Sequence, residues 1–182
     1  AYLVIAGSLG PPDTLDRAYP FLDRKRVAFG FPDILFGPDD AYARLIQRQD
    51  ETGADVVLGL HVIEDPPVWD MVDCDEDGRV RALVMKPVST TLTFGWCCAV
   101  WTPRFTTFLH DFLRADETKR NLSRLANTAN DPGGDLAVGV VLQAALKAGL
   151  TVQSVKFPNE RYLDIGTPEN LLKAVRQFHN PH

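Results

Sequence analysis

The protein has 182 residues, of which 45% are hydrophobic and 24% charged, with a formal net charge of −5. This length fits one globular domain, and the acidic balance argues against nucleic acid or an anionic membrane as a general partner. The sequence has no apolar run of about 20 residues and no signal-peptide pattern, so we expect a cytoplasmic protein with no membrane partner.

The first predicted element is a strand at residues 2–6, where apolar and β-branched side chains precede a glycine. Because the chain enters this strand directly and without a Met, we expect the natural polypeptide to begin further upstream. Pro11 and Pro12 suit the first turn of a helix, and the apolar spacing predicts helix through residues 14–21. Residues 26–31 predict a buried strand.

The rest of the chain alternates predicted strands and helices around a central β-hairpin, whose turn is at residues 75–78. The other elements follow in chain order: a helix at 39–52, a strand at 55–62, the hairpin strands at 68–73 and 79–85, a strand at 91–101, a helix at 104–113, a polar stretch at 116–134, a helix at 135–148, a strand at 151–157 and a helix at 168–178. This alternation predicts a single α/β domain over residues 1–182, a Rossmann-like three-layer α/β/α fold with a mostly parallel mixed sheet.

The cysteines show no sign of a special function. Cys74, Cys97 and Cys98 have neither the spacing of metal ligands nor that of a disulfide framework. We therefore expect buried or half-buried thiols in a reducing compartment. The four histidines are not spaced as metal ligands either.

Asp33 is the first candidate for chemistry, because it follows the predicted strand 26–31. In open α/β sheets ligands bind beyond the carboxyl ends of the strands, so a carboxylate there faces the expected site. Gly30, at the end of the same strand, would let a ligand approach the backbone closely. The alternative is that Asp33 caps a turn after Pro32.

Asp164 is the second candidate, at another strand end and ahead of Gly166, Thr167 and Pro168. Thr167 is a natural N-cap and Pro168 suits the first position of a helix, so part of this segment has a structural explanation. Capping does not explain the aspartate. Two carboxylates from separate strand ends can hold Mg²⁺, which takes phosphate oxygens and waters as its other ligands.

Lys86 is the third candidate, at the end of the second hairpin strand and before Pro87, which closes the ladder. An ammonium group at this place can neutralise a phosphate. The alternative is an ordinary solvated lysine on the surface. The sequence contains no G-x-S-x-G segment and no Cys/His arrangement that would indicate a nucleophile.

Taken in order, these segments resemble the sugar-nucleotide pyrophosphorylases, and most closely the glucose-1-phosphate thymidylyltransferase-like group. The resemblance covers nearly the whole chain. Its most specific part is residues 162–174, which read Y-L-D-I-G-T-P-E-N-L-L-K-A and are similar to the family's W-x-D-x-G-T-P-x-x-L-x-x-A segment. The resemblance implies that Asp33 and Asp164 bind Mg²⁺ and act with Lys86 in catalysis. It further implies that Gly10 and Gly30 contact the nucleotide.

The resemblance also implies the reaction and its substrates. An oxygen of a sugar 1-phosphate attacks the α-phosphorus of an NTP in line, and pyrophosphate leaves. Trp69, Asp70, Gly95 and Lys86 correspond to the pocket that binds the sugar phosphate. A homo-oligomer is compatible with this assignment, and the sequence leaves the oligomeric state, the base and the sugar open.

The sequence departs from the family pattern in the sugar pocket and in the phosphate-binding loop. Met85 replaces a Glu that would bind sugar hydroxyls, Trp69 and Asp70 replace a Tyr-Gly pair, and Cys97 stands where an aromatic residue is common. These changes indicate an unusual sugar or an acceptor other than a hexose phosphate. The family's G-G-x-G-T-R loop, which would hold the triphosphate, does not occur in the sequence, so we expect that this chain alone does not transfer a nucleotide.

Two other functions are compatible with the sequence. A nucleotide-sugar glycosyltransferase has a similar sheet, but it needs a D-x-D at a strand end, and here D-x-D lies in the predicted hairpin turn. A non-catalytic nucleotide-sugar sensor or scaffold would keep the fold and lose the chemistry. The changes in the sugar pocket favour the second of these alternatives.

Overall fold

The computed structural model describes residues 2–115 and 136–179. Its helices are α1 (Pro11–Arg17), α2 (Tyr19–Leu22), α3 (Ala41–Thr52), α4 (Pro103–Arg114), α5 (Val138–Lys147) and α6 (Pro168–His179). Its strands are β1 (Val27–Gly30), β2 (Ile34–Phe36), β3 (Val56–Val62), β4 (Met71–Cys74), β5 (Val80–Val84), β6 (Phe94–Trp101), β7 (Val152–Lys156) and β8 (Tyr162–Asp164). The predicted polar stretch at 116–134 lies outside the described residues. None of the described helices is long and apolar enough to cross a bilayer.

Helix α3 illustrates how the local sequence sets an element. Ala41 and Leu45 are one turn apart and are both buried. Gly53 ends the helix in the left-handed conformation, with φ of +65°, and its N–H donates to the Gln49 carbonyl at 2.8 Å. The helix predicted at 39–52 is thereby confirmed.

Six strands form one mixed sheet with β6 near its centre. One edge of β6 pairs along its length with β3, which is antiparallel to it, and β3 pairs on its far side with β7, which is parallel. The other edge of β6 is shared between β1 and β4. Strand β5 completes the predicted hairpin with β4, and β2 and β8 form a separate two-stranded antiparallel sheet.

The α/β class is confirmed, but the pairing differs from the expected mostly parallel sheet. Among the strands of the described residues, only β3 and β7 pair in parallel. Parallel neighbours need a crossover connection, usually a helix. Strands β3, β4, β5 and β6 follow one another without an α-helix between them. The pairs that they form, β3–β6, β4–β5 and β4–β6, are therefore antiparallel.

The strand predicted at residues 2–6 is not formed. These residues pair with no strand in the described part of the chain, and Tyr2 and Val4 are fully exposed. Apolar and β-branched composition gives a segment a preference for extended backbone. A strand also needs a partner to bond its N–H and C=O groups, and propensity does not supply one.

Helices cover both faces of the main sheet, as a three-layer fold requires. Val56 and Leu58 of β3 pack in one core with Phe105 of α4 and Val141 of α5. Val57, between them in sequence, points to the opposite face and packs with α3. Each fully buried side chain of this size contributes roughly 1.5–3 kcal/mol to folding. The run of apolar residues in β3 is therefore explained by burial on both faces.

The three cysteines are free thiols, as predicted. Cys97 and Cys98 are buried in β6, and Cys74 is half-buried. Burial raises the pKa of the Cys98 thiol to about 12. A thiol of this kind stays protonated and unreactive at neutral pH.

His61 is fully buried on β3, in contact with the rings of Phe36, Phe157 and Tyr162. Its Nε2 lies 2.8 Å from the Gly37 carbonyl oxygen, which can only accept, so Nε2 carries the proton. Its buried Nδ1 has no hydrogen-bond partner among the described residues. Burial lowers the pKa of His61 below its usual 6.5, which favours the neutral ring at neutral pH.

We expect the His61→Phe variant to lose part of the pH dependence of folding. Below about pH 6.5 the unfolded wild type takes up a proton on His61 that the folded state resists, so the free energy of unfolding falls as the pH drops. Above that pH this contribution is fully present. In the variant, the free energy of unfolding should change less steeply with pH, by at most about 1.4 kcal/mol per pH unit. Urea unfolding across this range checks the prediction, and equal slopes in the two proteins would contradict it.

Candidate functional site

A cleft opens where the shared edge of β6 changes partner. Strand β1 pairs with β6 as far as Gly30, and β4 begins to pair with β6 at Met71. Phe31, the residue after β1, and Asp70, the residue before β4, line the cleft together with Trp96. Ligand sites in open α/β sheets form at such changes of strand order.

The cleft has a volume of about 410 Å³, within the range of small-molecule sites. Five of the predicted site residues line it, and they include both proposed metal ligands: Asp33, Trp69, Asp70, Lys86 and Asp164. The other lining residues are apolar: Pro11, Phe31, Ile34, Val68, Trp96, Leu136, Ala137 and Val138. The fold therefore brings both predicted metal ligands and every predicted acceptor residue except Gly95 to one place.

The small β2–β8 sheet holds Asp33 and Asp164 together. Ile34 pairs with Asp164 in the ladder, and the Ile165 N–H donates to the Asp33 carbonyl at 2.7 Å. Oδ1 of Asp164 and Oδ2 of Asp33 each lie 3.0 Å from the point that a Cβ on Gly166 would occupy, so these oxygens are at most about 6 Å apart. Asp33 is exposed and Asp164 half-buried, which leaves both open to a ligand.

The chemistry of these two carboxylates fits a Mg²⁺ site. Mg²⁺ prefers oxygen ligands and is commonly held by one or two carboxylates together with waters and phosphate oxygens. Gly166 keeps the space between Asp33 and Asp164 open, because any side chain there would contact both carboxylates. Within residues 2–115 and 136–179 no three His, Cys, Asp or Glu side chains are grouped to hold a metal. A metal here would therefore depend on substrate oxygens or waters for its other ligands.

The start of helix α6 fixes the orientation of Asp164. Oγ1 of Thr167 accepts the N–H of Asn170 at 3.2 Å, which confirms the predicted N-cap, and Pro168 begins the helix. The N–H of Gly166 donates to Oδ1 of Asp164 at 2.8 Å. One carboxylate oxygen is thus held by the backbone, and the group is positioned before any ligand arrives.

Asp70 lies between Lys86, Trp96 and the first turn of α5. The Trp96 side chain and the Lys86 backbone lie close to its carboxyl group and favour its charged form. Burial raises the pKa of Asp70, and the nearby Lys86 ammonium opposes this effect in part. Gly139 packs so closely against the same carboxyl group that a side chain at this position would collide with it.

Lys86 has an unusual backbone conformation, with φ of +39°. A residue with a Cβ pays about 1–2 kcal/mol for the left-handed region. The N–H of Lys86 donates to the Trp69 carbonyl at 3.1 Å, and the buried Pro87 follows it. The chain therefore turns out of β5 at Lys86, and this residue lines the cleft instead of continuing the strand. Backbone strain of this kind is concentrated at functional sites.

Gly10 and Gly30, predicted to contact the nucleotide, line a second depression of about 360 Å³. It adjoins the cleft, because Pro11 and Phe31 line both. A side chain at Gly30 would collide with the hydroxyl of Tyr42, so protein packing by itself accounts for this glycine. The predicted nucleotide residues thus lie beside the predicted metal and acceptor residues.

Gly95 lines neither depression. It is buried in β6, where a Cβ would lie 2.6 Å from Cγ1 of Ile63 and 3.2 Å from the carbonyl oxygen of Asp70. The glycine therefore allows the Ile63 side chain to pack directly behind the wall of the cleft. Its role in the described structure is packing next to Asp70.

The sequence interpretation missed several residues that line the cleft. Phe31 follows β1 as Asp33 does, so the same argument from strand ends would have found it. Residues 136–138 gave no local signal. They reach the cleft because the Leu136 N–H donates to the Leu9 carbonyl at 2.8 Å, a contact between distant parts of the chain.

No protein-family model and no curated protein sequence matches the chain. Its fold does match solved structures. One is a structure from Bacillus anthracis, named as a glucose-1-phosphate thymidylyltransferase in complex with sucrose, with a TM-score of 0.75 and 14% identity. The match covers 100% of this chain and 66% of that structure's chain.

Two UDP-glucose pyrophosphorylases have the same fold. One, complexed with UDP-glucose, has a TM-score of 0.74 and 12% identity. The match covers 98% of this chain and 65% of that structure's chain. The other, UTP-bound and from Acinetobacter baumannii, has a TM-score of 0.65 and 17% identity. The match covers 95% of this chain and 58% of that structure's chain. The chain thus spans 58–66% of the length of these three structures. At such identities the likeness concerns the fold, and by that measure the chain has the α/β fold of the sugar nucleotidyltransferases.

Proposed function

We propose that the cleft is the acceptor side of a nucleotidyltransferase active site. The proposed enzyme joins an NTP to a phosphorylated acceptor and forms an NDP-linked product and pyrophosphate. The observation that carries this proposal is the pair of carboxylates of Asp33 and Asp164, with oxygens at most about 6 Å apart, in one cleft with Lys86. This combination of two oxygen donors and one ammonium group suits a metal-bound phosphate. The nucleotidyltransferase fold supports the same assignment.

The proposed reaction is an in-line displacement. An oxygen of the acceptor phosphate forms a bond to the α-phosphorus of the NTP while the bond from that phosphorus to pyrophosphate breaks. Bound Mg²⁺ supplies neutralisation of the charge on the phosphates. Asp33 and Asp164 would hold the Mg²⁺ and so orient the phosphates bound to it, and Lys86 would bind the acceptor phosphate. The protein contributes positioning and electrostatic stabilisation, with no covalent intermediate.

We place the nucleotide in the second depression. It contains Gly10 and Gly30 and meets the cleft at Pro11 and Phe31. A nucleotide there would have its phosphates directed toward Asp33, which follows Phe31 by two residues. The base and the acceptor are not specified by these contacts.

Binding of nucleotide sugars by the 182-residue chain tests the proposal. We expect calorimetric titration with a panel of NDP-sugars to show binding with Mg²⁺ and little or none with EDTA. No binding of any nucleotide sugar or NTP in the presence of Mg²⁺ would overturn the proposal. Because the sequence has no G-G-x-G-T-R segment, we expect no pyrophosphate release from this chain alone.

Gly166→Ala should weaken the Mg²⁺-dependent binding by at least about tenfold, as loss of an outer-shell contact at a metal does. A methyl group at this position would lie 3.0 Å from an oxygen of each carboxylate and would push them apart. Gly7→Ala is the matched control, since nothing lies within 4 Å of its added methyl group. Equal affinities in the two variants would argue against a metal between Asp33 and Asp164.

A further inference from the structure

The charge of the cleft is unusual for a site that binds phosphates. Among the described residues that line it, three are acidic, Asp33, Asp70 and Asp164, and Lys86 is basic. The proposed Mg²⁺ accounts for Asp33 and Asp164, which the β2–β8 sheet holds together. Asp70 precedes β4 of the main sheet and needs a separate explanation.

The carboxyl group of Asp70 is fixed in the wall of the cleft. Trp96 and Lys86 lie beside it, and Gly139 packs against it. Burial raises the pKa of Asp70, and the Lys86 ammonium does not fully offset the rise. The negative charge is therefore incompletely stabilised by the protein. A second positive charge placed in the cleft would stabilise it.

Aromatic side chains line the same cleft. Trp69 and Phe31 are half-buried there. Tyr162 packs edge-on against Trp69, with ring centroids 5.0 Å apart, and Phe31 packs against Trp96 at 5.4 Å. These contacts hold the rings in place. The faces of aromatic rings attract cations within about 6 Å, and Trp does so most strongly. A carboxylate beside aromatic rings is the chemistry that recognises an organic ammonium group.

We propose that the acceptor is a phosphate monoester whose organic part carries a positively charged nitrogen, with Asp70 and Trp69 as the residues that select it. The inference rests on the proposed function, because it takes the cleft as the acceptor subsite. The cationic nitrogen lies against Asp70 and Trp69, and Lys86 binds the phosphate of the same molecule. Two sources share this chemistry, an amino-sugar 1-phosphate and an amino-alcohol phosphate.

The test compares three phosphate monoesters by calorimetry on the 182-residue chain with saturating Mg²⁺. They are glucosamine 1-phosphate, phosphocholine and, as the neutral reference, glucose 1-phosphate. We expect at least one cationic ester to bind at least about tenfold more tightly than glucose 1-phosphate. The one that binds better identifies the source.

Asp70→Asn isolates the charge, because asparagine has nearly the same size and shape as aspartate and keeps one side-chain oxygen. We expect this variant to bind the cationic and neutral esters with affinities within about twofold of each other. Trp69→Leu should also reduce the preference while keeping an apolar wall. Asp65→Asn is the control, since Asp65 is exposed and outside the lining of the cleft.

A preference that survives in Asp70→Asn, equal binding of all three esters, or binding of none of them would overturn the inference. Titration with UDP-glucose and Mg²⁺ separates this failure from that of the proposed function. Intact Mg²⁺-dependent binding of UDP-glucose with no preference for the cationic esters overturns only the inference. Loss of Mg²⁺-dependent binding in every titration overturns both.

Discussion

Asp164→Asn and Asp33→Asn should each abolish the Mg²⁺-dependent binding of a nucleotide sugar. Loss of an outer-shell partner costs about 10- to 100-fold in metal affinity, and loss of a direct carboxylate ligand should cost more. Asparagine at position 164 keeps the oxygen that accepts the Gly166 N–H, so the loop before α6 should retain its conformation. The measurement is calorimetric titration of the wild type and both variants with and without Mg²⁺.

Asp40→Asn is the matched control for these two variants. Asp40 is exposed just before α3, and its side chain makes no capping hydrogen bond, so the substitution removes one charge away from the cleft. We expect it to bind as the wild type does, and all three variants to unfold at the same temperature. Wild-type affinity in Asp33→Asn and Asp164→Asn would show that these carboxylates hold no metal.

Asp55→Ala should lower the free energy of unfolding by about 3 kcal/mol. Asp55 is 6% exposed at the start of β3. Its Oδ2 accepts the backbone N–H of Thr151 at 2.8 Å and lies 3.0 Å from Nη1 of Arg104. The carboxylate thus joins the starts of β3, β7 and α4. Its removal would leave the Thr151 N–H and the Arg104 guanidinium without this partner. Urea unfolding at neutral pH measures the effect.

Asp50→Ala provides the comparison, because it removes the same side chain from the surface. Asp50 pairs with Arg26, but its side chain is 59% exposed, and exposed ion pairs contribute roughly 0–1 kcal/mol. We expect this variant to be nearly as stable as the wild type. Similar losses in the two variants would mean that the Asp55 contacts contribute no more than a surface pair.

The elements with strong local signals were predicted at their positions. Helix α3 has a periodic apolar face and a glycine stop, and β3 is mostly apolar without alternation. Both were found within two residues of the predicted bounds. Residues 2–6 had the composition of a strand but no partner to pair with. The contrast shows that a helix forms its backbone hydrogen bonds within itself, whereas a strand needs another segment to bond its N–H and C=O groups.

The site was predicted in part, for a physical reason. Asp33, Lys86 and Asp164 each follow or end a strand, and strand ends are recognisable from the sequence. Their assembly in one cleft was an expectation that followed from the family resemblance, and the cleft they line agrees with it. The contributions of Phe31 and of residues 136–138 were not predicted, because they depend on where β4 replaces β1 beside β6 and on which helix begins nearby.

The sequence by itself determined where most strands and helices lie, because apolar period, glycine stops and N-caps act over a few residues. It also determined which residues have the chemistry for a metal and a phosphate. The tertiary structure decided the antiparallel pairing of β6, the short β2–β8 sheet and the cleft between β1 and β4. It also decided that Asp70 is a half-buried carboxyl group beside Trp69 and Trp96. These features depend on contacts between residues far apart in the chain, which no local pattern encodes.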